Sequence, residues 1–265
     1  MASHCDESLI IRGMNMLRII LPIVLAVSVC SSARAEQALR LQASTSPPYA
    51  GAALPDEGLA LELVKYIYAD TDYKPVITIE NWARAVEGTR MGVYDALASV
   101  WYSKDRDKDL LFSEPYLRSE LLILKLRSNP RVYTTLQDLS GSRLGVRTDY
   151  AYGVDFNAIP DLELVQEDQL VPNLLNLLDG NVDFVIADQR TAAMQLHELL
   201  ADKITQFAVV KIPLPAVERH VAASRSWPGH EKMIAEFNRA LSALQKSGAL
   251  QPIIRKWDER YGGIE

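Results

Sequence analysis

Cysteine is almost absent from this chain of 265 residues, which contains only Cys5 and Cys30. Both lie within residues 1–35, which we expect to be removed as a secretory signal peptide. The mature chain would then contain no cysteine, which excludes disulfide bonds and cysteine-ligated zinc sites. A run long enough to cross a bilayer is also missing, because the apolar segment at 19–29 is well below the roughly 20 residues required.

The signal peptide is expected from the order of three short features. Arg18 supplies a basic start, an apolar run follows, and Ala33-Arg34-Ala35 provides small residues for cleavage after Ala35. Acidic residues further upstream fit the start of a signal peptide poorly. We therefore expect translation to begin at Met14 or Met16, and the mature protein to be exported.

Basic residues are also scarce. Residues 36–265 contain 25 basic and 32 acidic side chains, since three arginines and two acids fall in the leader, and their net charge is −7. A nucleic-acid partner is not expected, because it would require a basic patch. The glycines show neither Walker nor Rossmann spacing, and the four histidines are scattered, so neither a cofactor nor a metal is expected.

Strand-like and helical segments alternate along the mature chain, which predicts an α/β fold with helices packed on mainly parallel sheets. The strand predicted at 119–126 ends in polar turn residues, and the strand predicted at 207–212 is followed by prolines. We interpret these points as two crossings between lobes, with lobe 1 formed by 36–126 and 211–265 and lobe 2 by 127–210. The cleft between two lobes is a preferred ligand site.

An arginine follows the apolar strand predicted at 94–100. Arg106 has a planar, permanently charged guanidinium that can hold a carboxylate with two parallel hydrogen bonds. The alternative is that Arg106 is one more solvated charge in the charged run 104–109, since such charges mostly stay in water. From the residues alone, the solvated charge is the ordinary expectation.

The segment around Arg106 resembles the signature of the family 3 extracellular solute-binding proteins. Ser103-x-x-Arg106 is followed by Phe112-Ser-x-Pro-Tyr116, where the family has Thr-x-x-Arg and then Phe-Ser-x-Pro-Tyr. Further matches follow in the family's order from residue 38 to residue 260: Pro47-Pro48-Tyr49, Gly58 with Glu62, Gly92-x-x-Asp95, Leu136 to Val146, Gly180 to Asp188, and Gly248 to Trp257. Each match alone is weak, but their order and spacing are specific.

The resemblance implies a two-lobed type II periplasmic-binding-protein fold with two interlobe crossings. It implies a monomeric periplasmic receptor that captures a small carboxylate-bearing solute, such as a polar amino acid, by lobe closure for the membrane permease of an ABC transporter. In the family, the arginine matching Arg106 binds the ligand α-carboxylate, and the acid matching Asp188 binds its ammonium group. Ser103, which stands for the threonine of the signature, is a further candidate ligand contact.

The position of Asp188 allows two roles. It follows the apolar run 182–187, and ligands of open α/β sheets collect at such strand ends. It also precedes the helix predicted at 189–200, whose N-terminus it could cap. Capping and ligand contact could coexist.

Aromatic residues near these positions are candidates for the wall of the pocket. Trp101 and Tyr102 precede the arginine loop, where the family usually has small residues. They could stack on the ligand or narrow the pocket, or they could simply pack between the lobes. Tyr49 and Trp82 are further candidates, with core packing as the alternative for Trp82.

One corner of the family's site is changed. Many members carry Gly-Thr-Thr or Gly-Thr-Ser where this chain has Asp149-Tyr150-Ala151, so small donors are replaced by an acid and a phenol that could close over the ligand. Arg147 could act as a second anion-binding cation or pair with the new aspartate. Ser44 and Ser46 also stand where relatives have an aspartate and an aromatic residue. We therefore expect an altered pocket.

Two other functions remain open. An exported dehydratase of the cyclohexadienyl type, on the same fold, would need a carboxylate clamp and an acid, for which Asp149, Asp188 or Glu62 are candidates. No motif singles out one of them, and an enzyme is not the expectation. A solute-sensing module would present its closed form to a histidine kinase instead of a permease.

Overall fold

The computed structural model describes residues 37–261, so the predicted signal peptide lies outside the described residues. The strands are β1 Gln37–Ser44, β2 Tyr73–Glu80, β3 Ala96–Trp101, β4 Leu110–Phe112, β5 Leu117–Ser119, β6 Leu121–Leu126, β7 Arg143–Arg147, β8 Glu163–Glu167, β9 Phe184–Asp188, β10 Phe207–Val210 and β11 Val217–Ser224. The helices are α1 Leu59–Tyr68, α2 Trp82–Arg90, α3 Leu170–Leu178, α4 Gln189–Leu199, α5 His230–Ser247 and α6 Gln251–Tyr261. None of these helices is long and apolar enough to cross a membrane.

The strands form two separate sheets. The first has the order β2-β1-β3-β11-β4, with β5 also paired to β11, and the second has the order β10-β6-β9-β7-β8. Strands that follow one another through a helix are parallel, whereas β11 and β6 run antiparallel to their neighbours. The sheets are therefore mixed rather than mainly parallel, because strands beside a direct crossing enter from the opposite end.

The chain crosses between the sheets twice. Only Glu120 separates β5 of the first sheet from β6 of the second, and the return lies between Val210 and Val217. The first boundary, predicted after residue 126, is therefore wrong, because 121–126 bonds to β9 and β10 of the second sheet. An apolar strand that continues through a crossing carries no local signal of the change of sheet.

Apolar periodicity places the helices on the sheets. Leu59, Leu63 and Ile67 recur along one face of α1 and are fully buried against the first sheet. All five residues of β9 are buried, as in a strand covered on both faces. Helix α6 contacts both α1, which lies on the first sheet, and α4, which lies on the second.

The segment 112–116 fastens β11 to the first sheet. The backbone N–H of Ser113 donates to the Val221 carbonyl oxygen at 2.8 Å, and that of Tyr116 donates to the Arg219 carbonyl oxygen at 3.0 Å. The buried Tyr116 hydroxyl donates to a carbonyl oxygen of β3 at 2.9 Å. This part of the sequence signature has a structural role, since it holds in place the strand that carries Arg219.

A buried histidine beside this segment makes stability depend on pH. His220 Nδ1 lies 2.7 Å from the Ser113 carbonyl oxygen, and its ring packs edge-on against Phe112. Burial lowers the pKa of His220 from its ordinary value of 6.5, against opposing effects of the Ser113 contact and two glutamates. As the pH falls below that value, the unfolded chain binds the proton first, so the free energy of unfolding decreases.

We expect the urea-unfolding free energy to fall between about pH 7 and about pH 5, and to fall less in a His220→Asn variant. Asparagine keeps a donor near the Ser113 carbonyl oxygen but does not titrate in this range. The matched control is His197→Asn, because His197 is exposed, and this variant should retain the wild-type pH dependence. Equal pH dependence in the wild type and His220→Asn would contradict the assignment.

Candidate functional site

A cavity lies between the two sheets, at the ends of β1, β3 and β7. Its volume is about 30 Å³, which is room for about two water molecules. The first lobe lines it with Ser44, Ser46, Trp82, Ser99, Val100, Trp101, Arg106 and Arg219, and the second lobe with Asp149, Tyr150 and Ala151. The lining thus combines two guanidinium groups, three serine hydroxyls and three aromatic side chains with one carboxylate.

A larger cavity adjoins this inner cavity. Its volume is about 420 Å³, within the range of small-molecule sites, and it shares Ser44, Trp82, Asp149 and Tyr150 with the inner cavity. Two of the shared residues belong to the loop after β7. This loop is therefore part of the wall between a water-sized space and a ligand-sized one.

The Arg106 side chain joins the two lobes. Its Nη1 donates to the Trp101 carbonyl oxygen at 2.9 Å, and its Nη2 donates to the Asp149 carbonyl oxygen of the opposite lobe. The guanidinium carbon lies 4.6 Å from the centre of the Trp82 ring, in stacking range. Arg106 is buried, whereas Lys104 in the same charged run is exposed.

A short 3-10 turn holds the backbone of this arginine. The turn covers Arg106–Lys108, and the Ser103 hydroxyl accepts the Arg106 N–H at 3.2 Å. Burial lowers the pKa of the guanidinium, and the negative charge of Asp149 opposes that effect. A guanidinium nevertheless stays charged in proteins. The cavity therefore contains a partly desolvated cation, which favours an anion.

Asp188 ends β9 and begins α4. Its Oδ1 accepts the Thr191 N–H at 3.0 Å, so Asp188 caps α4, which is one of the two roles expected from the sequence. The Tyr49 hydroxyl reaches its two oxygens at 2.8 and 2.7 Å, and Arg219 Nη2 lies 3.8 Å from Oδ2. Asp188 is only 5% exposed and does not line the inner cavity. Its carboxylate is thus engaged by groups of the protein itself.

A chain of hydrogen bonds connects Arg219 to Asp188. Arg219 Nε donates to the Ser119 Oγ at 3.1 Å, the Ser119 hydroxyl donates to Tyr49 Oη at 3.3 Å, and Tyr49 donates to Asp188. Burial, together with the negative charge of Asp188, raises the pKa of Tyr49, so the phenol keeps its proton. Each group in this chain donates to the next, so the buried Arg219, Ser119, Tyr49 and Asp188 all have a hydrogen-bond partner. A buried network that is fully paired in this way is rigid.

The sequence interpretation missed Arg219. This residue is buried on β11, its guanidinium carbon lies 3.4 Å from the centre of the Tyr49 ring, and its Nη1 donates to the Ser99 hydroxyl at 3.1 Å. The available signal was strand alternation, because Val217, Arg219 and Val221 share one face of the strand. An arginine between two apolar residues on that face indicates a buried cation.

The remaining candidates lie at different distances from the cavity. Trp101 and Tyr150 line it and pack edge-on, with ring centres 4.8 Å apart. The Trp101 indole N–H has no hydrogen-bond partner among the described residues. Tyr102 and Ser103 do not line the inner cavity, and Tyr49 is fully buried beside Arg219 without lining it.

Arg147 supports Tyr150 from the second lobe. Its guanidinium carbon lies 4.3 Å from the centre of the Tyr150 ring, and its Nη1 donates to the Tyr150 hydroxyl. Its Nη2 donates to the Asp168 carbonyl oxygen at 2.9 Å. Asp149 adopts a left-handed backbone with φ of 58°, a conformation in which aspartate is enriched. The sequence suggested that Arg147 binds an anion or pairs with Asp149. The contacts show neither role, since its guanidinium is bonded to the Tyr150 hydroxyl.

The other acids considered from the sequence have partners away from the cavity. Glu62 accepts hydrogen bonds from Lys256 Nζ at 2.6 Å and from the Trp257 indole at 2.7 Å. In residues 37–261, no group of three or more metal-binding side chains is found. Asp149 is the acid that lines the inner cavity.

Two α/β lobes joined by two crossings, with a cation-lined cavity between them, define a two-lobed solute-binding fold. Residues 43–260 match the bacterial extracellular solute-binding proteins, family 3, and the chain belongs to this family. The fold and the family expected from the sequence are therefore confirmed.

Similar proteins include receptors and a sensor. The L-cystine-binding protein TcyJ of Escherichia coli K12 is 27% identical over 207 residues, which cover 75% of this chain and 71% of TcyJ. The virulence sensor protein BvgS of Bordetella bronchiseptica is 24% identical over 183 residues, which cover 69% of this chain and 14% of BvgS. A solved ancestral arginine-binding protein bound to arginine has a TM-score of 0.69 and 20% identity, covering 83% of this chain and 97% of that one. At this identity, the structural likeness shows the fold alone.

Proposed function

We propose that the protein captures a small carboxylate-bearing solute between its lobes and delivers it, in the periplasm, to the membrane permease of an ABC transporter. The observation that carries this proposal is the buried guanidinium of Arg106, which lines the cavity and bonds to backbone carbonyl oxygens. Such a group can exchange a neutral acceptor for a charged one, which makes a stronger hydrogen bond. Membership of a solute-binding family and the similarity to TcyJ support the proposal.

The same contacts suggest how binding is coupled to closure. The lobes touch through the bond from Arg106 to the Asp149 carbonyl oxygen and through the Trp101–Tyr150 ring pair. A carboxylate would replace that carbonyl oxygen on Arg106, and Tyr150 would move to join the inner and outer cavities. A ligand favours closure only through contacts that it makes better in the closed form, so it must contact both lobes.

A thermal-shift screen of amino acids, amines and small organic acids tests the proposal. A ligand that binds only the folded protein adds about 2.7 kcal/mol at about 100 times its Kd. For a chain of this size, we expect the unfolding temperature to rise by about 5–10 °C with at least one carboxylate. An unfolding temperature that rises with amines but with no carboxylate would contradict the proposal. Turnover of prephenate or arogenate by the purified protein would show that it is an enzyme and not a receptor.

A sensing role is the second candidate, and the similarity to BvgS favours it. Transport and sensing differ in the partner that receives the closed form. Cells lacking the gene should lose uptake of the radiolabelled ligand from the screen if the partner is a permease. Normal uptake with a lost transcriptional response to the same ligand would favour sensing.

A further inference from the structure

The charge pattern around the inner cavity narrows the class of solute. The charged side chains lining this cavity are Arg106, Arg219 and Asp149, so cationic groups outnumber acidic ones. Glu80 and Asp168 line only the outer cavity. The field inside the inner cavity therefore favours an anion and opposes an ammonium group.

The acid that would receive an ammonium group is already engaged. Asp188 accepts hydrogen bonds from the Tyr49 hydroxyl and the Thr191 N–H, and it lies 3.8 Å from Arg219 Nη2. An ammonium group would have to displace Tyr49 and would lie beside the Arg219 guanidinium. The displaced Tyr49 hydroxyl would need another acceptor, and the hydrogen-bond chain through Ser119 offers none, because Ser119 already accepts from Arg219 and donates to Tyr49.

A second observation indicates an acceptor as the missing partner. Trp101 is buried and lines the inner cavity, and its indole N–H has no hydrogen-bond partner among the described residues. Buried donors are normally paired, so an occupant that extends the inner cavity as far as this N–H would have to supply an oxygen atom. Indole nitrogen donates only, which an ammonium group cannot satisfy.

Asp149 does not change this balance. It enters from the second lobe, and its carbonyl oxygen accepts from Arg106. Its negative charge also raises the pKa of Arg106 against the effect of burial, so its carboxylate lies within electrostatic reach of that cation. Asp149 and Arg106 line the same inner cavity, so the Asp149 carboxylate can serve as a counter-charge to Arg106, which a carboxylate ligand would replace when the loop moves.

We propose that the solute is a small carboxylate without an α-amino group, held on the first lobe by Arg106, Arg219 and the Trp101 indole, and contacted from the second lobe by Tyr150, which also lines the inner cavity. This inference rests on the proposed function, because it specifies the ligand of the same site. Ser44 and Ser46 are consistent with it, since they line the inner cavity with hydroxyl groups and add no negative charge there. In this arrangement the carboxylate meets two guanidinium groups, and Asp188 stays bonded to Tyr49 and Thr191.

The first test compares matched pairs on the wild-type protein. Each pair differs only in the amino group: glutarate with glutamate, butyrate with 2-aminobutyrate, and 3-phenylpropionate with phenylalanine. We expect the unfolding temperature to rise with at least one acid that lacks the amino group and to rise less with its amino-acid partner. Preference for the amino acid throughout would overturn the inference but leave the carboxylate receptor intact. No shift with any carboxylate in this panel or in the wider screen would contradict the proposed function as well.

The second test uses the acid of the panel that binds best, together with its amino-acid partner, and measures both on two variants. Asp188→Asn keeps an oxygen for Tyr49 but removes the counter-charge of Arg219, so affinity for the acid should stay the same or increase. A receptor that reads an ammonium group with Asp188 would instead lose roughly 30-fold in affinity for the amino-acid partner of that acid. Arg219→Gln should weaken binding of the acid by roughly tenfold or more. Its control is Arg118→Gln, an exposed arginine on the neighbouring strand, which should bind as the wild type does.

Circular dichroism and unfolding curves show whether each variant is folded. If Arg219→Gln does not fold, the Asp188→Asn result and the paired panel still decide the question. A folded Arg219→Gln protein with unchanged affinity would remove Arg219 from the site. A loss of affinity for the amino acid in Asp188→Asn would restore Asp188 as a ligand contact.

Discussion

An Arg106→Ala variant is expected to lose binding of every carboxylate that stabilises the wild type. Alanine removes the buried guanidinium, and the carboxylate then loses its two charge-assisted hydrogen bonds. Removing one partner of a buried charge pair costs about 2–5 kcal/mol, which corresponds to an affinity loss of roughly 30-fold or more. Isothermal titration with the best ligand from the screen measures the loss directly.

The ligand-free stability of this variant should change much less than its affinity. The guanidinium donates to the Trp101 and Asp149 carbonyl oxygens, so its removal costs about 1–3 kcal/mol at most, and the relief of burying a charge offsets part of this. Lys104→Ala is the matched control, because it removes an exposed cation from the same loop and should leave the affinity unchanged. Wild-type affinity in Arg106→Ala would remove the arginine from the site.

The helices and strands could be predicted because their signals are local. The run 182–187 is apolar almost throughout and contains most of β9, whose five residues are all buried, and the spacing of apolar residues predicts α1. The first crossing could not be predicted in the same way. Only Glu120 separates β5 from β6, and which sheet a strand joins depends on partners far away in the chain.

The residues of the candidate site differ in the same way, between those with a local signal and those whose contacts are distant in the chain. Arg106 could be chosen as a candidate from the sequence because its signature is contiguous; it lines the inner cavity, and its contact with a ligand stays a prediction. The contacts of Asp188 could not be predicted from the sequence, since they are made by Tyr49, 139 residues away, and by Arg219. A motif can mark Asp188 as a candidate ligand contact, but it cannot show that the Tyr49 hydroxyl already bonds to this acid.

A Gly58→Ala substitution is expected to be the most damaging small change near the site. Gly58 has a φ of 109°, and an added Cβ would lie 2.6 Å from the carbonyl carbon and oxygen of Tyr49. The first N–H groups of α1 bind this same stretch, since Leu59 and Ala60 donate to the Pro48 and Tyr49 carbonyl oxygens at 2.9 and 3.0 Å. The Cβ would therefore force apart the two segments that hold the Tyr49 ring against Arg219.

Backbone strain and overpacking each cost about 1–3 kcal/mol, so Gly58→Ala should lower the free energy of unfolding by roughly 2–6 kcal/mol. Gly141→Ala separates the two causes, because Gly141 also has a positive φ, of 72°, but a Cβ there would meet nothing within 4 Å. Its cost should be about 1–2 kcal/mol. Urea unfolding of both variants gives the comparison. Equal losses would mean that the glycine of the Gly-x-x-x-Glu motif serves only its own backbone angle. A larger loss in Gly58→Ala, with weaker ligand binding in the protein that still folds, would show that the motif holds Tyr49 in place.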